Sequence, residues 1–258
     1  MLQFSANLSF LFKEFDFFQR FKEAKKSGFN QIEFLFPYEF PSKKIKECLD
    51  KNNQNQILFN SFPGNWSAGE RGIASLPRRE GEFAKYIKVS LDYAKTLKSV
   101  NLHVMAGISS DSNSYTESHN TYLNNLKYAA IEASKIGVNI LIEPINNFDM
   151  PGYFLKDIDQ AIKIIEELNI PNLRLLCDVY HIQMTTGRVT ATLKKAIKYT
   201  QHIQISNVPN RHEPNIGELN YNFILKFIDK LGYNGFVGCE FVPKKETLKG
   251  LEWLSDYS

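Results

Sequence analysis

The sequence has little cysteine, no long apolar run and almost no surplus of charge, and each shortage excludes a class of protein. Cys48, Cys177 and Cys239 are the only cysteines. They are too few and too scattered for a disulfide framework. No CxxC pair or Cys/His cluster points to structural zinc, so a reducing, cytoplasmic compartment fits best. No stretch approaches the roughly 20 apolar residues of a membrane-spanning helix. Met1 to Phe12 is apolar but has no basic residue before Lys13, so no signal peptide is expected. Lys+Arg total 31 against 28 Asp+Glu, leaving a net charge of +3. That permits an anionic small-molecule substrate and gives little support to nucleic-acid binding. No Pro/Gly/Ser-rich linker interrupts the chain, so one domain over residues 1–258 is expected.

With 43% hydrophobic and 23% charged residues the composition is that of a globular protein. Short apolar runs alternate with longer helical patterns. The runs that read as strands are Leu2–Asn7, Gln31–Phe36, Gln56–Asn60, Ser99–Met105, Asn139–Glu143, Leu173–Asp178, His202–Ser206 and Gly235–Glu240. Helical patterns cover Asp16–Ser27, Ser42–Asn53, Arg79–Leu97, Ser118–Lys135, Lys156–Leu168, Thr190–Lys198, Asn220–Lys230 and Glu246–Leu254. This gives about 32 residues per βα unit, the size of that motif. Eight such units predict an α/β fold, a (β/α)8 TIM barrel. A doubly wound sheet would usually carry GxGxxG after the first strand, and here that strand runs into Asn7-Leu8-Ser9-Phe10.

Barrel active sites sit at the C-terminal ends of the strands. Four successive late strands carry an oxygen-bearing side chain there: Glu143, Asp178, Gln204 and Glu240, spaced 35, 26 and 36 residues apart. Their predecessors, Ile142, Cys177, Ile203 and Cys239, suit the layer between barrel and helices, so alternation turns the polar four inward. One polar strand end is commonplace. Three carboxylates converging in one mouth would repel each other, and a bound cation removes that penalty. An all-oxygen set favours Mg²⁺ or Mn²⁺ over Zn²⁺. Glu143 and Glu240, three strands apart, suit proton transfer between adjacent carbons of a metal-chelated hydroxy-carbonyl compound.

These residues sit in longer motifs. Glu143-Pro144-Ile145-Asn146 followed by Asp149-Met150-Pro151-Gly152-Tyr153-Phe154-Leu155 resembles the EPIN–DxPGYFL signature of hydroxypyruvate isomerases. Asp178-Val179-Tyr180-His181-Ile182-Gln183 is similar to their DxYHxQ segment. Ile203-Gln204-Ile205, Pro209-Asn210-Arg211-His212-Glu213-Pro214 and Gly217-Glu218-Leu219-Asn220-Tyr221 are similar to their QI…PxRxEPxxGExNY stretch. Ala6-Asn7-Leu8-Ser9, Phe34-Leu35-Phe36-Pro37-Tyr38 and Ala68-Gly69-Glu70-Arg71-Gly72-Ile73-Ala74 extend the likeness over nearly the whole chain. The resemblance implies a xylose-isomerase-like TIM barrel with a divalent metal at Glu143, Asp178, Gln204 and Glu240, and Glu143 and Glu240 as the acid/base pair. It also implies that His181 contacts substrate or supports the metal. One departure stands out: Arg78-Arg79 follows Leu76-Pro77 where a glycine and a single arginine are expected. It closes an 18-residue segment, 61–78, long enough for a lid or binding loop.

Arg71 and Arg211 are candidates to grip a substrate carboxylate, since a guanidinium offers it two parallel donors. His103 is placed to hydrogen-bond a substrate oxygen, and Glu213 to orient Arg211 or a substrate hydroxyl. A packed core histidine and solvated surface charges are the duller readings of the same residues. Of the phenylalanines at 10, 12, 15, 17, 18 and 21, core packing is expected, for Phe10 and Phe12 as well. The expected activity is interconversion of hydroxypyruvate and 2-hydroxy-3-oxopropanoate (tartronate semialdehyde) through an enediolate, with no organic cofactor. The substrate would be a small hydroxy-oxo acid, with no nucleic-acid or membrane partner, and a homo-oligomer is compatible. The alternatives are 2-oxo-tetronate isomerisation, ketose 3-epimerisation and, from another class, abasic-site cleavage. The last would need a multi-zinc cluster that five histidines scarcely furnish.

Overall fold

The structure, a computed structural model, describes residues 2–108 and 114–257. Eight parallel strands close on themselves in sequence order, β1 to β8. They are β1 Gln3–Asn7, β2 Gln31–Phe34, β3 Asn55–Asn60, β4 Asn101–His103, β5 Asn139–Ile142, β6 Leu173–Asp178, β7 Thr200–Ile205 and β8 Phe236–Cys239. β1 closes the ring through Gln3↔Phe236 to Ala6↔Cys239. Around them lie α1 Phe17–Lys26, α2 Ser42–Asn52, α3 Glu80–Leu97, α4 Tyr115–Ser134, α5 Ile158–Leu168, α6 Val179–Thr185, α7 Val189–Ala196 and α8 Tyr221–Lys230. The (β/α)8 barrel read from the alternation is therefore the observed architecture.

Three elements depart from the sequence reading. The segment between β6 and β7 holds two helices rather than one, because Asp178 caps a new helix as soon as the strand ends: its Oδ1 accepts the Tyr180 N–H at 2.9 Å. The closing segment is a 3₁₀ run over Lys249–Tyr257 instead of an α-helix. β4 is also shorter than expected. Past His103 the backbone leaves the ladder, and Ala106 instead bridges antiparallel to Gly72.

Burial separates into two layers, as alternation requires. Ile142, Cys177, Ile203 and Cys239 belong to the large core between strands and helices. Leu58, Leu141 and Leu176 form a small separate cluster. They lie two residues before Asn60, Glu143 and Asp178 and share their face, so they plug the barrel beneath its mouth. Phe17 is the hinge of the aromatic packing, stacking on Phe40 at 4.5 Å and meeting Phe21 and Phe34 edge-on. Phe12 is buried as expected, but Phe10 is only partly buried, with Arg211 4.8–5.3 Å from the rings of Tyr180 and Phe10. No described helix is long and apolar enough to cross a membrane.

The departure at Arg78 has a conformational meaning. Its φ is +68°, in the left-handed region that a glycine occupies without strain. A non-glycine residue there costs on the order of 1 kcal/mol, partly offset by the extra freedom a glycine has when unfolded. Arg78→Gly is therefore expected to stabilise the protein by about 0.5 kcal/mol. Calorimetry reads this as a rise of one or two degrees in Tm at about 2–4 °C per kcal/mol. A fall in Tm would mean that the Arg78 side chain contributes more than its backbone costs.

Candidate active site

The four strand-end residues converge. Glu143 is 6% exposed, Asp178 2%, Gln204 3% and Glu240 6%, so three carboxyl groups and an amide share one buried space. Asp178 divides its labour. Oδ1 caps α6, while Oδ2 faces the site, 2.9 Å from Arg211 Nη2 and 3.7 Å from His181 Nε2. The same Arg211 Nη2 donates to Glu240 Oε1 at 2.6 Å. Arg211 holds this pose in left-handed backbone, φ +57°, and lies 3.9 Å from Asp149. Glu143 faces two histidines, His103 Nδ1 at 3.6 Å and His181 Nε2 at 3.8 Å.

Burial sets the proton affinities. Glu143 is pushed well above the usual carboxylate range, first by desolvation and then by Glu240 and Asp178. Desolvation likewise carries Glu240 up to about 8 against the opposing pull of Arg211, with Asp178 and Glu33 adding to the rise. Burial drives His103 down to about 3 and His181 well below its ordinary value, so both rings are neutral.

The residues fit a cation. Oε1 of Glu143 and Oε1 of Gln204 are buried without a hydrogen-bond partner, and both can donate a lone pair to a cation. The Arg211 guanidinium between Asp178 and Glu240 shows that the space draws positive charge. Glu143, Asp178 and His181 offer donor atoms all within 4.8 Å of one another.

Beneath this mouth lies a residue that the strand-end reading missed. Glu33 on β2 is fully buried, and both its oxygens are saturated. Oε2 accepts from Ser5 Oγ at 2.7 Å and pairs with His202 Nε2 at 2.7 Å. Oε1 accepts from Gln204 Nε2 at 2.9 Å and Asn7 Nδ2 at 3.2 Å. Gln204 and Asn7 also donate to Glu240 Oε2. With its N–H groups committed to two carboxylates, the Gln204 amide is left with its carbonyl oxygen turned into the site. The signal for Glu33 was an acid set between Ile32 and Phe34, on the inward parity it shares with Gln31. Asn146, Asp149 and Tyr180 were quoted only as motif letters, yet all reach this cluster: Asn146 bonds His181 and Asp149, and Tyr180 Oη donates to Asp149 Oδ1 at 3.4 Å.

The remaining candidates separate. His103 is in the cluster, against Glu143 and 3.2 Å from Asn60 Oδ1. Arg71 lies on the loop after β3, stacked 3.9 Å over the Trp66 ring and donating to the Trp66 and Glu70 carbonyls. Glu213 is buried, but its Oε1 accepts the Lys244 N–H at 2.9 Å, which ties two loops together. Neither Arg71 nor Glu213 makes a hydrogen bond to the four strand-end residues among the described contacts.

Residues 21–257 match the family model of the xylose isomerase-like TIM barrel. The chain belongs to that family. Within it, a 2-oxo-tetronate isomerase of Cupriavidus necator is 46% identical, covering 100% of this chain and 99% of its own. A hydroxypyruvate isomerase of Escherichia coli is 41% identical over 100% of both chains. The crystal structure of an AP endonuclease, family 2, from Brucella melitensis is 40% identical, with a TM-score of 0.97 over 100% of this chain and 99% of that one.

Two expectations follow from the site's construction. A Cβ on Gly238 would lie 2.5 Å from both Glu33 carboxylate oxygens. Gly238→Ala should therefore displace the Glu33 anchor and destabilise the protein by about 1–3 kcal/mol, read as a lower denaturant midpoint. The second concerns pH. Carboxyl groups raised in the folded state bind more protons than when unfolded, so their stabilisation is lost as pH rises through the folded value. The depressed histidines oppose this only up to their ordinary 6.5. Between pH 6.5 and about 8, where Glu240 loses its proton in the folded state, the metal-free protein should thus lose stability as pH rises. Added Mg²⁺ should flatten that slope, a comparison that Tm against pH with and without EDTA makes directly.

Proposed function

We propose that the protein is a sugar-acid isomerase that interconverts hydroxypyruvate and 2-hydroxy-3-oxopropanoate. The observation that carries this reading is the pair Glu143 and Glu240, buried carboxyl groups on separate strands, both held at raised proton affinity around one small space. Full-length likeness to two sugar-acid isomerases supports it. Glu143, Asp178, Gln204 and Glu240 would hold a divalent cation, Mg²⁺ or Mn²⁺. When bound, that ion would polarise the carbonyl and adjacent hydroxyl and so acidify the C–H between them.

The chain's own groups do the rest. One glutamate removes a proton from C3 of hydroxypyruvate, giving a cis-enediolate. Return of a proton to C2 from a carboxyl group, with the O3 proton passing to O2, completes the aldehyde. Burial raises the proton affinity of both carboxyl groups, and a cation held beside them would oppose that rise, which suits groups that must both take and give a proton. Arg211, the cation nearest both Asp178 and Glu240, holds the substrate carboxylate, and His181 and His103 face the oxygens of the reacting carbons. No electrons leave the substrate, so no organic cofactor is called for. Three unbridged cysteines suit a reducing, cytoplasmic setting.

A second reading, 2-oxo-tetronate isomerisation, is favoured by the 46% identity to the Cupriavidus necator enzyme. It keeps every step and lengthens the substrate by one carbon. Abasic-site cleavage, suggested by the name of the Brucella melitensis relative, fits less well. The described residues offer one candidate metal cluster, and Gln204 is a weak zinc ligand.

Hydroxypyruvate and 2-oxo-tetronate, each incubated in D₂O with metal-loaded and EDTA-treated protein, separate these readings by carbon NMR. We expect metal-dependent formation of the hydroxyaldehyde with deuterium at the new C–H. Turnover of the four-carbon acid alone would replace the substrate and keep the chemistry. Glu240→Gln preserves shape but removes the proton acceptor and should lower kcat by about 10²–10⁴. Full activity in that variant would refute the role given to Glu240.

A further inference from the structure

A neutral imidazole carries one proton, and the partner of either nitrogen decides where it sits. His181 meets Asn146, the last residue of the Glu143-Pro144-Ile145-Asn146 segment. The side-chain amide of Asn146 has a forced orientation. Its Oδ1 accepts the backbone N–H of Phe148 at 3.0 Å and of Asp149 at 2.9 Å. Backbone donors cannot be turned round, so the amide cannot flip. Its Nδ2 therefore points the other way, 3.0 Å from Asp149 Oδ2 and 2.7 Å from Nδ1 of His181. The backbone N–H of Asn146 approaches the same ring nitrogen at 3.5 Å. Two N–H groups aimed at Nδ1 leave that nitrogen no role but acceptor, and a proton on it would collide with both.

We infer that Asn146 is a positioning residue that locks His181 as the Nε2–H tautomer, so that His181 is a hydrogen-bond donor to a substrate oxygen and not a ligand to the cation. The Nε2–H points between Glu143 Oε1 at 3.8 Å and Asp178 Oδ2 at 3.7 Å. Both gaps are too long for a good hydrogen bond, which leaves the donor available to an oxygen seated between the two carboxyl groups. Distance alone groups His181 with Glu143 and Asp178 as a cation site. A nitrogen that carries a proton has no lone pair to give, and the unpartnered carbonyl oxygen of Gln204 is the better-suited neutral donor. A donor fixed at that place would polarise the substrate oxygen while leaving the ring uncharged beside the cation. The substrate role rests on the isomerase reading above, whereas the tautomer does not.

Long-range ¹H–¹⁵N correlation spectra of the full chain test the tautomer directly, in metal-free and Mg²⁺-loaded protein, with His181 assigned by the signals missing from His181→Asn. We expect a protonated Nε2 and a bare Nδ1 in both states. A protonated Nδ1, a doubly protonated ring, or loss of the Nε2 proton on Mg²⁺ binding would overturn the inference. Asn146→Asp combined with Asp149→Asn replaces the amide donor by a carboxylate acceptor at unchanged charge. The proton should then move to Nδ1, with kcat falling about 10–100-fold and KM changing less. Retention of Nε2–H in that variant would remove Asn146 from the role. A switched tautomer with unchanged kcat on both sugar acids would refute His181 as the substrate's donor while the positioning by Asn146 stood. Failure of the isomerase reading would appear separately, as the expected tautomer in wild-type protein that turns over neither acid.

Discussion

A buried carboxylate is stable only if its lone pairs are answered, and the site is built on one such residue. Glu33 receives Ser5 and Asn7 from β1 and His202 and Gln204 from β7. Two of these donors, Asn7 and Gln204, also reach Glu240. Glu33 therefore does more than satisfy itself. It holds two amide groups in one orientation, and those amides in turn hold one oxygen of the glutamate at the end of β8. His202 and Ser5 pair with the deeper oxygen and keep the carboxylate from rotating. The polar mouth rests on this layer, in which Leu58 of the apolar plug pairs in register with Glu33.

The barrel and the four strand-end residues were legible in the sequence because both follow from periodicity. Alternation within a strand fixes which side chains enter the barrel, and one βα unit of spacing fixes that they meet. Glu33 was not legible by that rule, since it lies on an early strand among neighbours that suggest packing. Its meaning depends on donors far from it in the chain, His202 and Gln204 above all. The split helix after β6 was missed for a local reason: Asp178 ends a strand and caps a helix with the same side chain, and a pattern search assigns it to one or the other. Arg71 and Glu213 were singled out for carrying charge inside shared motifs. In the structure the first stacks on Trp66 and the second joins two loops, contacts that motif membership gave no means of foreseeing.

That double use of Asp178 ties the chemistry to the frame. The distance between Asp178 and His181 is set by one turn of α6, and Asn146 on the loop after β5 meets the ring from behind. Two strands and one helix thus fix the relation between a carboxylate and a donor with no long, flexible side chain between them. Arg211 is the contrasting element, a long side chain on a loop in left-handed backbone, flanked by Phe10 and Tyr180. The rigid groups suit the reacting carbons, and the adaptable one suits the carboxylate that the proposed acids share.

The long segment after β3 is fastened at many points. Gly72 bridges Ala106, Ser75 bonds the Ala106 carbonyl, Asn125 bonds Ala74, and Arg79 clasps both Glu70 and Glu82. A segment so anchored serves as a standing wall rather than a swinging door. Discrimination between acids of different length then falls to the fit at first encounter. Extra selectivity gained by closing over the right substrate, as induced fit provides, is not available from this side of the mouth. Against such a wall, a single added or missing carbon in the acid would shift preference only modestly.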